Sequence, residues 1–419
     1  MSNRTFFYSI KNIVAPIGKQ WKSIVSSRSN WHTVALDVFS YAWAWGYNAS
    51  GFLGDNTTTN RSSPVSVVGD KQWRVVVAEN GYFTLGLDVF SYAWSWGLNT
   101  NGKLGDNTIE DRSSPVSVVG GKQWLQISSS VSNIIALDSL SYAWCWGLNS
   151  IGISGDNTIT NRSSPVSVVG DKQWLIAKVS TSHCIALDSL SYAWAWGQNA
   201  AGALGINTAG NRSSPVSVVG DRQWLGVYPG NYYNIALDNL SYAWAWGLNN
   251  NGELGDNSKT SRSSPVSVVG GKQWLPIFNF SPSLYVILAL DNLSYAWAWG
   301  DNNSGQLGDN TTTNRSSPVS VVGDKQWLDI ISFGGGPVAL DSLSFAWVWG
   351  GSTGDNTNDT KSSPVSVVGG KKWRTLNRGG SIAALDSFSQ AWEWGGNSSG
   401  QLGDNTVDSR SSPVSVVGV

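Results

Sequence analysis

Few side chains in this sequence are of the kind that do chemistry alone. There are 2 histidines and 2 cysteines, and His183 stands directly before Cys184. A thiol beside an imidazole is the pattern of an activated nucleophile or of half a metal site. This pair has neither a second His nor an acidic partner at regular spacing, so it reads as structural. Cys145 replaces Ala inside a Trp-X-Trp-Gly string and reads as a small packing residue. Eight Leu-Asp pairs, from Asp37 to Asp386, look like a ring of carboxylates. Each sits at a hairpin turn, where Asp accepts hydrogen bonds from nearby backbone amides. The Gly-Asp-Asn loops invite a calcium reading, but they lack dense carboxylate spacing, and one copy reads Gly205-Ile206-Asn207. Their Asp is expected to pair with the Arg of the same loop. The residues imply no catalytic group, no metal and no cofactor.

Composition narrows the classes further. Lys and Arg number 27 against 28 Asp and Glu, only 13% of residues are charged, and 41% are hydrophobic. That supports a large folded core and removes the electrostatic footprint of a general nucleic-acid binder. Two cysteines make no disulfide framework. Lys11 and Asn12 break the N-terminal apolar run before it reaches signal-peptide length, and no stretch approaches the ~18 apolar residues of a membrane span. The expectation is a soluble protein without membrane insertion, in the cytoplasm or in a particle assembled there, such as a virion.

The unusual counts are 47 Gly and 25 Trp, and internal repetition explains the second. Trp-X-Trp-Gly begins at Trp43, Trp94, Trp144, Trp194, Trp244, Trp297, Trp347 and Trp392. A framing Trp precedes each doublet, at Trp21, Trp73, Trp124, Trp174, Trp224, Trp274, Trp327 and Trp373. Only Trp31 lies outside this frame. Ser40-Tyr41-Ala42-Trp43-Ala44-Trp45 alternates bulky and small residues at period 2, so one strand face is aromatic and the other is alanine. A bulky face set against the small face of the next sheet packs without voids. Pro64-Val65-Ser66-Val67-Val68 is a second strand, with Pro at its start. The runs after the framing Trp and before Leu-Asp supply two more. Four strands per ~50 residues, repeated without helical pattern, predict an all-β, single closed β-propeller of four-stranded blades. Eight blades is the direct reading, and seven plus an extra repeat is the alternative. Residues 1–18 form an N-terminal extension and 19–419 the propeller. Ile13 to Ile17 look like a worn copy of the Pro-Val strand, and closure is expected from the C-terminal copy at Pro413–Val417.

The Tyr-Ala-Trp-Ala-Trp-Gly-X-Asn-X-X-Gly-X-Leu-Gly-Asp string, with the Pro-Val and Ala-Leu strands, resembles the repeat of the regulator-of-chromosome-condensation family. The resemblance runs from about Lys19 to Val419. It implies a propeller, usually of seven blades. The family's Gly-X-X-His step survives only around His32 and His183. The resemblance offers two jobs, nucleotide exchange on a small GTPase and the light sensing of its tryptophan-rich plant branch. The stretches between framing Trp and Leu-Asp hold only Glu79 and Asp329 as acids, and only Trp31 as a tryptophan, which fits neither.

Those stretches carry the functional reading. Arg-Ser-Ser-Pro-Val-Ser-Val-Val-Gly is identical in seven copies, with Lys361 for Arg in the other. Between framing Trp and Leu-Asp almost nothing matches, and the lengths differ. Ordinary loop drift explains this poorly, because the Gly-Asp-Asn loops stay recognisable. The expectation is a composite binding face on one rim. Units eight, one and two supply a basic sector with Arg374, Arg378, Lys22, Arg28 and Arg74, beside Trp31, His32, Tyr82 and Phe83. Units five and six supply an aromatic sector with Tyr228, Tyr232, Tyr233, Phe278, Phe280 and Tyr285. Tyr, Trp, Phe and Arg are the usual interface anchors. The predicted function is a non-catalytic scaffold that binds a protein or glycan partner, in the manner of a bacterial or viral attachment or decoration protein. The alternative is a regulatory propeller acting as an exchange factor for a small GTPase.

Overall fold

The computed structural model describes residues 19–27, 32–78, 82–281, 285–333, 336–351 and 354–418, with backbone only for 277–281 and 333. In blade 1 the strands Trp21–Ser26, His32–Asp37, Ala42–Gly46 and Arg61–Ser66 form one antiparallel sheet in chain order. Seven further sheets of the same order follow, so the ring has eight four-stranded blades. The seven-blade alternative falls away. First strands approach first strands around the axis, which makes them innermost.

The alternating aromatic strand packs as its pattern predicts. On one side of blade 1, Val34, Leu36, Ala42 and Ala44 meet Trp73, Val76 and Trp96 of blade 2. In every blade the framing Trp tilts against the second Trp of the doublet, with ring centroids 5.6–6.0 Å apart. The two doublet tryptophans share a face but not an environment. The second, such as Trp246, is fully buried. The first, such as Trp244, is half-buried beneath a Lys or Arg that lies 2.6–3.8 Å from the ring centroid in each blade. Its Nε1–H donates to the Leu-Asp carboxylate at 2.8–3.0 Å. The other oxygen of that Asp accepts two backbone amides of the turn, as Asp37 does from Phe39 and Tyr41. The carboxylate ring is a set of turn caps.

Blades are latched through the Gly-X-Leu-Gly loops. At six junctions the carbonyl of X accepts the buried Trp Nε1–H of the next blade, as Ala203 does from Trp246 at 3.1 Å. This close approach needs the second Gly of the loop. Gly205 has φ +68, and a Cβ there would lie 2.6 Å from Trp246 Nε1. Gly205→Ala combines left-handed strain with overpacking and should lower stability by about 2 kcal/mol or more, read by urea unfolding.

The junction of blades 8 and 1 repeats backbone bonds of the others. Trp21 N donates to Ser389 O at 2.9 Å, as Trp73 N does to Ser40 O at 2.8 Å. Asn405 N donates to Ser62 O at 2.8 Å, as Asn56 N does to Ser113 O. The outer strand of blade 8 is Arg410–Ser415, so among the described residues no strand is exchanged between the ends of the ring. The extension 1–18, with Ile13 to Ile17, lies outside the described residues. Among the described residues no helix is long and apolar enough to cross a membrane.

Candidate functional site

In a ring of antiparallel meanders, the turns joining first to second strands and the loops joining third to fourth share one end. The remaining connections share the other. The strand ends that bear the eight variable turns therefore share one rim, beside the Gly-Asp-Asn loops.

Those loops repeat a single polar network. In blade 1, Asn48 Nδ2 donates to Asp55, Thr57 O and Thr59 O, while its Oδ1 accepts from Leu53 N. Asp55 accepts from Thr57 and pairs with Arg61 at 2.9 Å. Burial works against ionisation of Asp55, but the Thr57 and Arg61 hydrogen bonds outweigh it and hold the carboxyl below its usual range. Six further blades repeat the Asp pairing with Arg or Lys. Blade 4 has Ile206 instead, and Arg212 turns to Thr208 and local carbonyls. Such Asp groups are spent on Arg and Thr, which leaves them poor calcium ligands.

The predicted contact residues divide into four groups. Arg28 and Trp31 lie outside the described residues, as do the side chains of Phe278 and Phe280, whose backbones pair within Trp274–Ser281. His32, Phe83 and Tyr233 are at most 1% exposed, and Arg378 is also buried. Burial lowers the Arg378 pKa to about 9 and drives the Tyr233 hydroxyl upward. Arg374 is on the other rim, where its guanidinium reaches Ser389 Oγ and the Trp21 and Lys22 carbonyls. The residue after a framing Trp lies at the end of its strand away from the variable turn, so Arg374 does not join Arg378. Tyr82, Tyr228, Tyr232 and Tyr285 remain at the variable rim, with Tyr82 36% exposed and the others half-buried. Burial raises the Tyr228 hydroxyl.

The buried group has a physical account that sequence order hides. The first residue of each second strand faces the second residue of that strand in the next blade. His32 Nε2 meets Thr84 Oγ1 at 2.9 Å, and the Thr84 hydroxyl donates to Phe52 O at 3.0 Å. His183 Nε2 meets Asn234 Oδ1 at 2.9 Å, and Asn234 Nδ2 donates to Ala203 O. Ser381 in blade 8 meets Thr33 of blade 1 through Glu393, whose Oε2 accepts from both hydroxyls. Apolar residues take the same places elsewhere, as with Tyr233 and Ile287. The two histidines survive where the next blade supplies a polar partner. Cys145 and Cys184 both donate to Ile153 O, at 3.6 and 3.4 Å, and burial pushes the Cys184 thiol well above its usual value. The Cys184 thiol is therefore not activated.

Two features escaped the sequence reading. Position X of Gly-X-Leu-Gly changes in nearly every copy, and in blade 1 it is Phe52. His32, Tyr47 and Tyr82 surround the Phe52 ring at 5.7, 5.7 and 6.3 Å. This aromatic group joins blades 1 and 2 at the variable rim. Glu393 occupies the alanine site of a Trp-X-Trp string and is fully buried. Burial lifts its carboxyl well above the usual range, against the hydroxyls of Thr33 and Ser381 and the Trp45 indole. A native pKa above the unfolded value gives stability that is complete below pH 4.5 and falls as pH rises, at about 1.4 kcal/mol per unit. Glu393→Gln should remove that slope, raising stability at pH 8 and leaving it unchanged at pH 4 in urea unfolding.

Comparison with known proteins agrees with this architecture. The family described as regulator of chromosome condensation (RCC1) repeat matches residues 92–137 and 295–337. The Arabidopsis thaliana ultraviolet-B receptor UVR8 is 33% identical over 85 residues, which span 20% of this chain and 19% of the receptor. Among solved structures, Prp20p of Saccharomyces cerevisiae, studied with its binding to Gsp1p and histones, superimposes with TM-score 0.63 and 17% identity. That match covers 83% of this chain and 91% of Prp20p. Human WBSCR16 gives TM-score 0.62 and 18% identity over 77% of this chain and 88% of its own. The chain is thus an eight-bladed β-propeller that carries regulator of chromosome condensation repeats at residues 92–137 and 295–337.

Proposed function

We propose that this propeller is a non-catalytic binding protein that recognises a partner protein through its variable rim. The observation that carries the reading is the contrast between neighbours on that rim. The third-to-fourth loops repeat one hydrogen-bond network, whereas the adjoining first-to-second turns differ in every blade. A stiff frame holding unlike turns side by side is a recognition surface in which each blade contributes its own contact. Tyr47 and Tyr82, over Phe52, are the anchor group the geometry favours, and Tyr232 and Tyr285 form a second group on blades 5 and 6. Stacked tyrosines of this kind also accept sugars, so glycans are the competing ligands.

Affinity capture from the source cells, with the native chain and a Tyr47→Ala/Tyr82→Ala variant in parallel, tests the reading. Retention of a specific protein should fall by about tenfold or more in the variant, with an unchanged melting curve. Equal retention by both chains overturns the role of the blade 1–2 group. Retention on a glycan array replaces the protein by a sugar. Accelerated nucleotide release from a small GTPase moves the function to exchange.

A further inference from the structure

The rim opposite the variable turns is built of framework residues, yet it holds large apolar side chains clear of the protein. Every second-to-third turn carries one: Phe39, Phe90, Leu140, Leu190, Leu240, Leu293, Leu343 and Phe388, each 61–70% exposed. Nearer the axis, the residue after the framing Trp adds Leu125, Leu175, Leu225 and Leu328, each 53–56% exposed. The two tiers change together. Where the inner residue is Lys22, Arg74 or Arg374, the tip is Phe; where it is Leu, the tip is Leu. At about 150–200 Å² per side chain, these tips and inner leucines expose on the order of 1,000 Å² of apolar surface. That exceeds the ~300–600 Å² patch of an ordinary monomer and matches the ~800 Å² that each partner contributes to a stable complex.

We propose that this second rim is the interface between two copies of the chain, packed face to face. Equivalent positions in eight equivalent blades put the tips at one height and one radius. A partner that covers them all must be flat and repeat eight times, and a second ring does both. Charge selects the register. Lys22, Arg74, Arg374 and Lys372 crowd blades 8, 1 and 2, with Asp70 as the one acid entering them, while blades 4 to 6 have leucine at the inner position, with Asp171 and Asp221 in the connections entering blades 4 and 5. A two-fold axis through blades 3 and 7 lays blades 8, 1 and 2 on blades 6, 5 and 4 of the other copy, which sets Lys22, Arg74 and Arg374 opposite inner leucines rather than one another. The interface is isologous, with Leu140 opposite its own counterpart and Phe39 opposite Leu240.

Sedimentation equilibrium of the full chain at micromolar concentrations should give twice the monomer mass. Leu190→Asp/Leu240→Asp, at exposed tips, should weaken association by about tenfold or more with unchanged circular dichroism. A short bis-maleimide linker should join copies carrying Leu140→Cys alone, and copies carrying Phe39→Cys with Leu240→Cys, but not Leu240→Cys alone; Cys145 and Cys184 are buried. A monomer at every concentration overturns the proposal, as does a dimer indifferent to the Asp substitutions. A monomer that binds anionic vesicles through these tips also overturns it, and assigns the rim to a lipid surface. Linking by Leu240→Cys alone overturns the register.

Discussion

Trp246→Ala is expected to lower the unfolding free energy by about 3–5 kcal/mol. The side chain is fully buried, its ring lies 5.9 Å from that of Trp224, and its Nε1–H caps the Ala203 carbonyl at 3.1 Å. Truncation opens a cavity between blades 4 and 5 and leaves a buried acceptor unpaired. Trp244 is the informative control, because the two differ by one residue between them in sequence and share a strand face. Trp244 is half-buried, stacks under Arg222 at 3.6 Å and donates to Asp238 at 2.9 Å. Trp244→Ala forfeits a cation–π contact and one hydrogen bond, about 2 kcal/mol in all. Urea unfolding of both variants measures the difference. Equal losses would show that the inter-blade latch contributes nothing beyond buried area.

Acid sensitivity is the second large effect. Burial lowers the His32 pKa to about 3 and the His183 pKa to about 4, against 6.5 for the free side chain. Above pH 6.5 both states are neutral and the histidines contribute no slope. Below it the unfolded chain takes up protons that the native state refuses, so stability falls as pH drops, at about 1.4 kcal/mol per unit per histidine. By pH 4.5 each has removed about 2–3 kcal/mol. Glu393 carries the opposite slope over the same interval, so the native chain loses less than the sum of the two histidines. Gln can offer an amide donor to Thr84 or Asn234 without titrating. His32→Gln and His183→Gln should each recover about 2–3 kcal/mol at pH 4.5 relative to pH 7 in paired urea titrations. Parallel pH profiles for variant and native chains would mean that the imidazoles are protonated in the folded state.

Strand order, blade number and the turn roles of Asp were legible because their causes are local. Period-2 alternation, Pro at a strand start and Gly in left-handed turns each act within a few residues. The relation of Ala42 and Ala44 to Trp96 was also readable, since it follows from repeating one unit. His32 was not. Its place is decided by Thr84, which lies in the next copy and differs between copies, so a variable residue was taken for a surface one. Phe83 and Tyr233 were misplaced for the same reason. Arg374 fell on the wrong rim because composition was assigned to a whole segment, whereas a strand carries its two ends to opposite faces of the ring. Phe52 could have been found, since the X of Gly-X-Leu-Gly varies as freely as the turns beside it.

Each described sheet is made from one uninterrupted stretch of chain, and the last packs and hydrogen-bonds against the first without sharing a strand with it. Unequal recombination between copies would therefore insert or excise a finished wedge without tearing any hydrogen-bonded ladder. Circumference becomes an evolvable quantity, set by how many wedges a gene encodes, and each newcomer arrives with an unspecialised turn ready for selection.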